Sequence, residues 1–331
     1  MTERKEKERK PDKKSKDDNS KNYAKLEIEI ALAPLFYTVK DQKTRPNAII
    51  RREHANGWVE IRCFERLSIF DESVVLALMQ IANDRKRTKF LTSSPKSELG
   101  KELRNIMDPG NDLKDQKVGM LVDTDLNEIA KIMGYKKPSK KDRDNVMDSI
   151  VRIGSVTIRE RNNAENVEYG GLPGFIRYKL KDDGRLAFVI MRRLAMAAFG
   201  EEGWRFALVS MDERNELKGD ISKTLHKWLV AWIFTSEKIK KGPRYIGLDK
   251  LATHVWHDWD SYTPGGQRCC RKKLKEALHQ INSLPFWSAT VEGEGAMALV
   301  CIERLGPKTA RLEEASKTSD LDGELPPYLT D

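Results

Sequence analysis

Apolar residues recur at helical spacing in three segments of the first half of the chain. These segments are FDESVVLALMQIA, VDTDLNEIAKIMGY and the stretch that follows the basic turn KKPSKK. Their apolar stripes consist of Val74, Leu78 and Ile81; Leu126, Ile129 and Met133; and Val146, Ile150 and Ile153. Residues three or four positions apart share one face of a helix, so the pattern predicts three amphipathic helices.

Alternation of apolar and polar residues replaces the helical pattern after the third helix. SVTIRER, FIRYKL and RLAFVI each have the period of two that is typical of strands. Between the first and second of these strands lies a polar, glycine-rich stretch, Asn162 to Gly174, which predicts a long loop.

The second half of the chain repeats this order of elements. ISKTLHKWLVAWIF, IGLDKLATHVW and RCCRKKLKEALHQINSL predict three helices, and FWSATV and MALVCIERL predict a hairpin. The third stripe, at a constant offset of 128 from its counterpart in the first half, consists of Leu274, Leu278 and Ile281. Helix, short helix, turn, basic helix and hairpin is the order of a winged helix. The pattern predicts an α+β, mostly α fold of tandem winged-helix domains. One large α+β domain is the alternative, because such stripes are common to amphipathic helices.

Composition changes at both ends of the chain. Residues 1–25 hold ten Lys or Arg and six Asp or Glu with almost nothing to bury, which predicts a disordered basic arm. Residues 306–331 are predicted to be a disordered acidic tail, since residues 313–331 carry six acidic side chains against one lysine. The predicted winged-helix domains are residues 26–204 and residues 205–305.

The overall composition excludes several classes of protein. The chain has 331 residues, 39% of them hydrophobic, and a formal net charge of +9. It has no apolar run of the length that a membrane span requires, and its start, MTERKEKERKPDKKSK, lacks the apolar segment of a signal peptide. Four cysteines are too few for a disulfide scaffold. These features predict a cytoplasmic protein that is not attached to a membrane.

Basic residues are concentrated at the entry of both predicted third helices. A helix-turn-helix buries one face of its second helix and places the opposite face in the major groove of DNA, where Arg and Lys contact bases and phosphates. The candidate DNA-binding residues are Lys136, Lys137, Lys140, Lys141, Arg143, Arg159 and Arg161 in the first half, and Arg268, Arg271, Lys272, Lys273 and Lys275 in the second. Solvent-facing lysines on an ordinary surface helix are the alternative reading.

The two predicted wings differ in charge. Arg159 and Arg161 lie beside the polar loop of the first half and are expected to reach phosphates. The hairpin of the second half has Glu292 and Glu294 at its turn, which disfavours contact with phosphate. That wing is expected to point away from DNA or to contact protein.

Catalytic motifs are sparse in this sequence. GxxxxGK[ST], CxxC and HExxH do not occur, so the sequence predicts neither a nucleotide-driven activity nor a cofactor. His254, His257, Asp258, Asp260 and Tyr262 lie close together and raise the alternative of a metal-dependent nicking enzyme with a tyrosine nucleophile. The two histidines have i, i+3 spacing at a predicted helix end, where histidine is favoured on electrostatic grounds. We therefore predict a protein that is not an enzyme.

Several segments resemble a known family. ALVSMDERNELKGDISKTLHKWLVAWI, IGLDKLATHVW and RCCRKKLKEALHQINSL resemble the C-terminal half of the RepC replication initiators of IncQ-type plasmids, and LAPLFYTVK resembles the N-terminal region of that family. The broader TrfA-like initiators have a similar order of elements. The resemblance implies tandem winged helices that bind direct repeats (iterons) of double-stranded DNA at a plasmid origin. It also implies opening of AT-rich DNA, recruitment of a replicative helicase and self-association.

Residue roles follow from the same resemblance. It places Arg268, Arg271, Lys272 and Lys275 on the DNA-reading helix of the second domain, and Lys140, Lys141 and Arg143 on that of the first. Leu35-Phe36 lies where some TrfA-like proteins carry a sliding-clamp motif, although Pro34 and the missing glutamine depart from that motif.

Other functions remain open at the level of sequence, because fold does not determine function. A winged-helix transcriptional regulator would bind an inverted repeat at a promoter rather than an array of direct repeats. A nicking enzyme would need Tyr262 with His254 and His257. A pair of winged helices that binds only protein would show no affinity for DNA at any salt concentration.

Overall fold

A computed structural model describes eleven stretches of the chain. These stretches are residues 22–37, 45–54, 57–84, 87–91, 94–107, 119–163, 166–181, 184–199, 206–234, 243–256 and 258–304. The predicted acidic tail, residues 306–331, and most of the predicted basic arm, residues 1–25, lie outside them.

Ten α-helices and fifteen β-strands form within these stretches. The helices are α1 Ile28–Leu32, α2 Ile69–Ala82, α3 Glu98–Met107, α4 Leu126–Ile132, α5 Lys140–Gly154, α6 Arg192–Phe199, α7 Met211–Glu216, α8 Asp220–Phe234, α9 Leu248–Ala252 and α10 Pro264–Asn282. The strands are β1 Tyr23–Glu27, β2 Phe36–Tyr37, β3 Ala48–His54, β4 Gly57–Cys63, β5 Leu67–Ser68, β6 Thr88–Leu91, β7 Gly119–Asp125, β8 Thr157–Asn162, β9 Val167–Pro173, β10 Ile176–Leu180, β11 Arg185–Met191, β12 Phe206–Ser210, β13 Arg244–Gly247, β14 Trp287–Glu292 and β15 Leu299–Arg304. Short 3-10 helices cover Trp259–Ser261 and Gly295–Met297. The fold is α+β, but its five sheets do not support the prediction that it is mostly helical.

Two groups of elements share one topology. The first unit, residues 69–191, contains α2, β7, α4, α5, β10 and β11, and the second unit, residues 220–304, contains α8, β13, α9, α10, β14 and β15. In each unit the strand before the short helix pairs antiparallel with the second strand of the hairpin, which gives the strand orders β10-β11-β7 and β13-β15-β14. The first sheet has β6 as an additional fourth strand.

A second hairpin is inserted in the first unit, where the sequence predicted a loop. β9 covers most of Asn162–Gly174 and pairs antiparallel with β8, within a sheet of order β3-β4-β8-β9. The prediction of a loop was wrong because Gly170 and Gly171 interrupt the alternation of VEYGGLP, and because the ladder is irregular between Ile158 and Glu160. The hairpin that corresponds to β14 and β15 is therefore β10 and β11.

The structure also begins earlier than the sequence predicted. β1 starts at Tyr23, within the predicted disordered arm, and pairs antiparallel with β12. Ala24 and Leu26 are fully buried. Their partner strand lies far along the chain, so the charged composition around them could not indicate the pairing.

The apolar stripes form a single core. Val146, Ile150 and Ile153 on α5 are fully buried, and so are the stripe residues Leu274 and Ile281 on α10. Full burial of a side chain of this kind stabilises the fold by about 1.5–3 kcal/mol. One continuous hydrophobic cluster includes both units, with α2 and α8 in direct contact at its centre.

In the part of the chain that the structure describes, no helix has the length and apolarity needed to cross a membrane.

Candidate nucleic-acid interface

Four exposed lysines surround the start of α5. Lys136 and Lys137 lie in the turn after α4, and Lys140 and Lys141 open the helix. None of the four forms an ion pair with another described residue. Their position at the positive end of a helix dipole favours an anionic ligand such as phosphate.

A capping box determines where α5 begins. The hydroxyl of Ser139 accepts a hydrogen bond from the backbone N–H of Asp142, and the Asp142 carboxylate accepts from the Ser139 backbone N–H at 2.8 Å. Hydrogen bonds from the Ser139 side chain and backbone lower the pKa of Asp142. The cap therefore places Lys140 and Lys141 in the first turn of the helix.

The cations of α10 lie further along their helix. The helix starts at Pro264 with Thr263 as its N-cap, one turn before Arg268. Arg268, Lys272 and Lys273 are exposed on the side away from the core, and Lys275 is half-buried. Within the described stretches none of these four side chains forms an ion pair. The second and third turns of α10 thus present exposed cationic donors of the kind that contact bases and phosphates.

Arg143 and Arg271 occupy equivalent positions, since they share the offset of 128 that relates α5 to α10. The Arg271 guanidinium donates two hydrogen bonds to the Asp249 carboxylate on α9, at 2.6 and 2.7 Å. Arg143 donates to the side-chain oxygen of Asn127 on α4 at 3.3 Å, and to the carbonyl of Pro138 at 3.2 Å. Both arginines therefore connect the third helix of their unit to its short second helix.

These hydrogen bonds change the interpretation of the two arginines. The hydrogen bond to Asp249 raises the pKa of Arg271, and its guanidinium lies 5.5 Å from the Trp259 ring. A side chain held in this way positions α9 against α10. The sequence alone groups the arginines with the free cations because spacing does not show the carboxylate or amide opposite them.

Arg159 and Arg161 lie on β8, in the inserted hairpin. Arg159 donates to the Glu168 carboxylate at 2.6 Å and is 3.5 Å from that of Glu60, and the bonded Glu168 is the main cause of its raised pKa. Arg161 donates to the side-chain oxygen of Asn166 at 3.0 Å. Nearby carboxylates offset the charge of Arg159, so the hairpin is a weaker candidate for phosphate contact than the lysines of α5.

The hairpin β10–β11 carries cations that are not among the residues predicted from the sequence. Lys179 lies 2.6 Å from the Glu102 carboxylate and Lys181 lies 2.9 Å from that of Asp123. Arg185 is exposed on the second strand. The sequence KDDG could have indicated this hairpin, because Asp-Gly favours a tight turn between two strands.

The hairpin of the second unit, β14–β15, has a different surface. Glu292 and Glu294 are exposed at the turn between β14 and β15, and Met297 beside them is 88% exposed. Tyr245 and Leu299 are exposed on neighbouring strands of the same sheet. This hairpin presents carboxylates and apolar surface, as the acidic turn in the sequence indicated.

A buried carboxylate organises the first unit behind its basic turn. Asp71, at the start of α2, is fully buried and accepts hydrogen bonds from Arg152 on α5 at 2.9 and 3.1 Å and from Arg45 at 2.8 Å. It also forms a capping box with Ser68. Burial alone would raise the pKa of Asp71, but the hydrogen bonds from Arg152 and Ser68 outweigh it and lower the pKa.

A second buried carboxylate, Glu213 on α7, organises the second unit. One of its oxygens lies 2.9 Å from Nε2 of His226 on α8, accepts from the Trp287 indole at 3.2 Å and lies 3.6 Å from Arg304. Burial lowers the pKa of His226, although Glu213 acts in the opposite direction. The group ties α7 and α8 to the hairpin β14–β15.

The residues of the nicking alternative have other partners. The His254 ring stacks on Trp228 at 4.1 Å between centroids. Burial and the neighbouring Asp258 raise the pKa of Tyr262 to about 12, which disfavours its ionisation to a nucleophile. His257 lies outside the described stretches. No group of three or more His, Cys, Asp or Glu side chains among the described residues is arranged to hold a metal ion.

The region of the suspected sliding-clamp motif is part of the core. Leu35 is fully buried and Phe36 is 3% exposed. Phe36 belongs to β2, which pairs with β5, and the Lys227 ammonium lies 5.2 Å from its ring. These side chains do not present a surface that a clamp could bind in this conformation.

The fold and the basic helices define an α+β protein that is built around two related helix-and-hairpin units. The chain belongs to the Replication protein C (RepC) family, whose family model matches residues 21–296. It is therefore a member of a replication protein family.

Two solved structures are similar to the chain. A crystal structure of SeMet derivatives of domains 2 and 3 of RctB has 12% identity and a TM-score of 0.45, over 81% of this chain and 94% of that one. A crystal structure of RctB domains 2–3 has 13% identity and a TM-score of 0.44, over 86% and 99%. No protein with curated function matches the chain.

Proposed function

We propose that the protein is a plasmid replication initiator, of the kind found in IncQ-type plasmids, that binds direct repeats (iterons) at the origin through two winged helices. Membership of the RepC family supports the role in replication. The observation that carries DNA binding is the matched pair of helices α5 and α10, each with exposed cations near its start that pair with no described residue.

The two helices are assigned different tasks. Arg268, Lys272 and Lys273 on α10 contact bases and phosphates in one major groove. The lysines around the start of α5 bind phosphates of a neighbouring groove. Arg143 and Arg271 hold the short helices against the third helices and do not contact a base.

Further steps of initiation belong to the same proposal. Binding to the repeats promotes opening of adjacent AT-rich DNA, and a replicative helicase is then recruited in the cytoplasm. The protein needs no cofactor and is not itself an enzyme. Self-association regulates how much of it is available to the origin.

Fluorescence-anisotropy titration tests this proposal. Full-length protein is titrated at about physiological salt against a duplex that carries the direct repeats of its replicon, and against a scrambled duplex of equal composition. We expect binding to the repeats to be at least about 10³-fold tighter, and permanganate-reactive AT-rich DNA to appear beside them. Equal, salt-sensitive binding to both duplexes would contradict sequence-specific recognition. Preference for one inverted repeat would favour a transcriptional regulator instead.

A further inference from the structure

Two adjacent carboxylates on α2 form ion pairs with different parts of the molecule. Asp71 and Glu72 are both fully buried. The partners of Asp71 described above, Arg45 and Arg152, precede or belong to the first unit. Glu72 instead lies 2.7 Å from Arg214 on α7 and 3.0 Å from Lys227 on α8, the first helix of the second unit. The charge of Glu72 therefore bridges the two units.

The cations around Glu72 are as inaccessible as the carboxylate. The side chain of Arg214 is 1% exposed and that of Lys227 is 3% exposed. Arg214 also donates to the Ser73 hydroxyl on α2 at 3.2 Å and to the backbone carbonyl of Lys223 on α8 at 3.0 Å. Moving α8 relative to α2 would separate charges that are buried away from solvent, which makes such motion costly.

Further interactions join the same two regions. The side-chain amide of Asn215, next to Arg214, donates to the carbonyl of Ile132 at the end of α4 at 2.9 Å. α8 packs against α1 and α2, and we call this contact between the two units the junction. The apolar core is continuous across the junction. The junction is thus a packed interface and not a flexible linker.

The helices of the junction, α2 and α8, each pack against one of the two basic helices. α5 packs on α2 and is tied to it by the Arg152–Asp71 ion pair, and α10 packs on α8. The order α5, α2, α8, α10 is consequently one continuous series of packed helices, with Glu72 at the middle of the series. A change in how α2 packs on α8 therefore alters the separation and rotation of α5 relative to α10.

We infer that Glu72 is a specificity-determining residue for the spacing of the DNA site, because its ion pairs with Arg214 and Lys227 hold α5 and α10 at one separation and one rotation. The protein then recognises duplex DNA only when the segments bound by the two helices have one fixed spacing. This inference rests on the proposed function, and its DNA ligand is the same repeat.

The spacing is tested on a duplex that carries one repeat of the replicon. Hydroxyl-radical footprinting of the full-length protein locates the protected segments, and the variants Lys140→Ala/Lys141→Ala and Lys272→Ala/Lys273→Ala assign them to α5 and α10. Duplexes with one or two base pairs inserted between the segments then move these apart by about 3.4 Å and rotate them by about 35° for each added pair. We expect both insertions to weaken binding by at least about 100-fold, towards the level of non-specific DNA.

Neighbouring variants separate spacing from stability. Glu72→Gln should reduce the penalty of the one-base-pair insertion to about tenfold or less, since the loss of charge lets α8 shift slightly on α2. Glu213→Gln, an equally buried change whose partners His226, Trp287 and Arg304 all lie in the second unit, should keep the full penalty. If thermal unfolding shows that Glu72→Gln does not fold, Lys227→Met removes one of the two cations and takes its place with the same expected result.

The results for the wild type and for Glu72→Gln distinguish failure of the spacing inference from failure of the proposed function. Wild-type binding that tolerates both insertions within about threefold overturns the inference, while specific binding to the repeat keeps the proposed function. A folded Glu72→Gln, or its substitute, with an undiminished insertion penalty also overturns it. Failure of the wild type to distinguish the repeat from a scrambled duplex overturns the proposed function itself.

Discussion

The exposed faces of α5 and α10 differ although the two helices have equivalent places in their units. The exposed cations on α5 occupy its first turn, and the exposed residues that follow are Asp144, Asn145, Asp148 and Val151. On α10 the first turn carries no charge, and Arg268, Lys272 and Lys273 occupy the second and third turns. A helix N-terminus favours phosphate, and the planar guanidinium of an arginine such as Arg268 suits bidentate contact with a base edge. We therefore expect the second unit to read sequence and the first to add affinity.

The interiors of the units differ in a parallel way. Asp71 in the first unit is held by two guanidinium groups that are always charged. Glu213, on α7 just before the second unit, lies beside Arg304 and a histidine whose pKa is lowered by burial. One topology is thus held together by different buried charges, and variants of these charges should therefore differ in stability.

Removing Asp71 should have the largest effect on stability. In Asp71→Ala, Arg45 and Arg152 lose their buried counter-charge, so the free energy of unfolding should fall by about 3–5 kcal/mol. Glu213→Ala should lower it by less, about 1–3 kcal/mol, because Arg304 lies 3.6 Å from this carboxylate, beyond hydrogen-bond distance, and burial lowers the pKa of its hydrogen-bond partner His226. Urea unfolding followed by tryptophan fluorescence measures both, with exposed Asp148→Ala as the control. Equal losses in the two variants would remove the distinction between the interiors.

The cations of α10 and α5 should differ in how they affect DNA binding. If Lys272→Ala/Lys273→Ala removes a hydrogen bond to a base, it should cost about 1–3 kcal/mol of binding free energy at particular positions of the site. Lys140→Ala/Lys141→Ala should weaken binding to all sequences alike and reduce the slope of log K against log salt by about 1 for each phosphate that is no longer bound. Anisotropy titrations over a range of salt, on point-substituted repeats, measure both effects. A uniform decrease in both variants would mean that α10 also binds only the backbone.

The two positioning arginines should contribute unequally to stability. Arg271→Ala removes two charge-assisted hydrogen bonds to Asp249 and should cost about 1–2 kcal/mol, because partial exposure screens the pair. Arg143→Ala removes only hydrogen bonds to neutral oxygens and should cost about 0.5–1 kcal/mol. Thermal unfolding of the two variants checks the order. Asp249→Asn replaces the carboxylate with an amide, the group that Arg143 contacts in the first unit. In an Asp249→Asn background, the stability cost of Arg271→Ala should be close to that of Arg143→Ala.

Mild acid should destabilise the second unit before the first. The pKa of His226 is lowered in the folded state, so between that pKa and about 6.5 the unfolded chain binds more protons, and stability falls as the pH drops. The pKa of Asp71 is also lowered, and its contribution is present above about pH 4 and is lost only below that. Unfolding free energies at about pH 7.5 and about pH 5.5 should therefore differ less in His226→Gln than in the wild type. An unchanged pH dependence in that variant would exclude His226 as the cause.

Local pattern predicted the helices well because each stripe records which side of one helix is buried. All six stripe positions of α5 and α10 are in the core. The strands were harder to predict, and β9 was taken for a loop because two glycines break its alternation. The strand β1 was missed because only its pairing with a distant partner buries it.

The repeated order of helices and the places of high cation density can be predicted from the sequence, since apolar spacing and charge are properties of neighbouring residues. The tertiary structure shows which cations have a partner. Arg143 and Arg271 sit among lysines in the sequence, yet each faces a partner on the preceding short helix. It also decided the roles of Asp71 and Glu72, which look like ordinary acidic residues of a helix start. Their partners lie far along the chain, and burial of a charge is determined by everything that packs around it rather than by its neighbours in sequence.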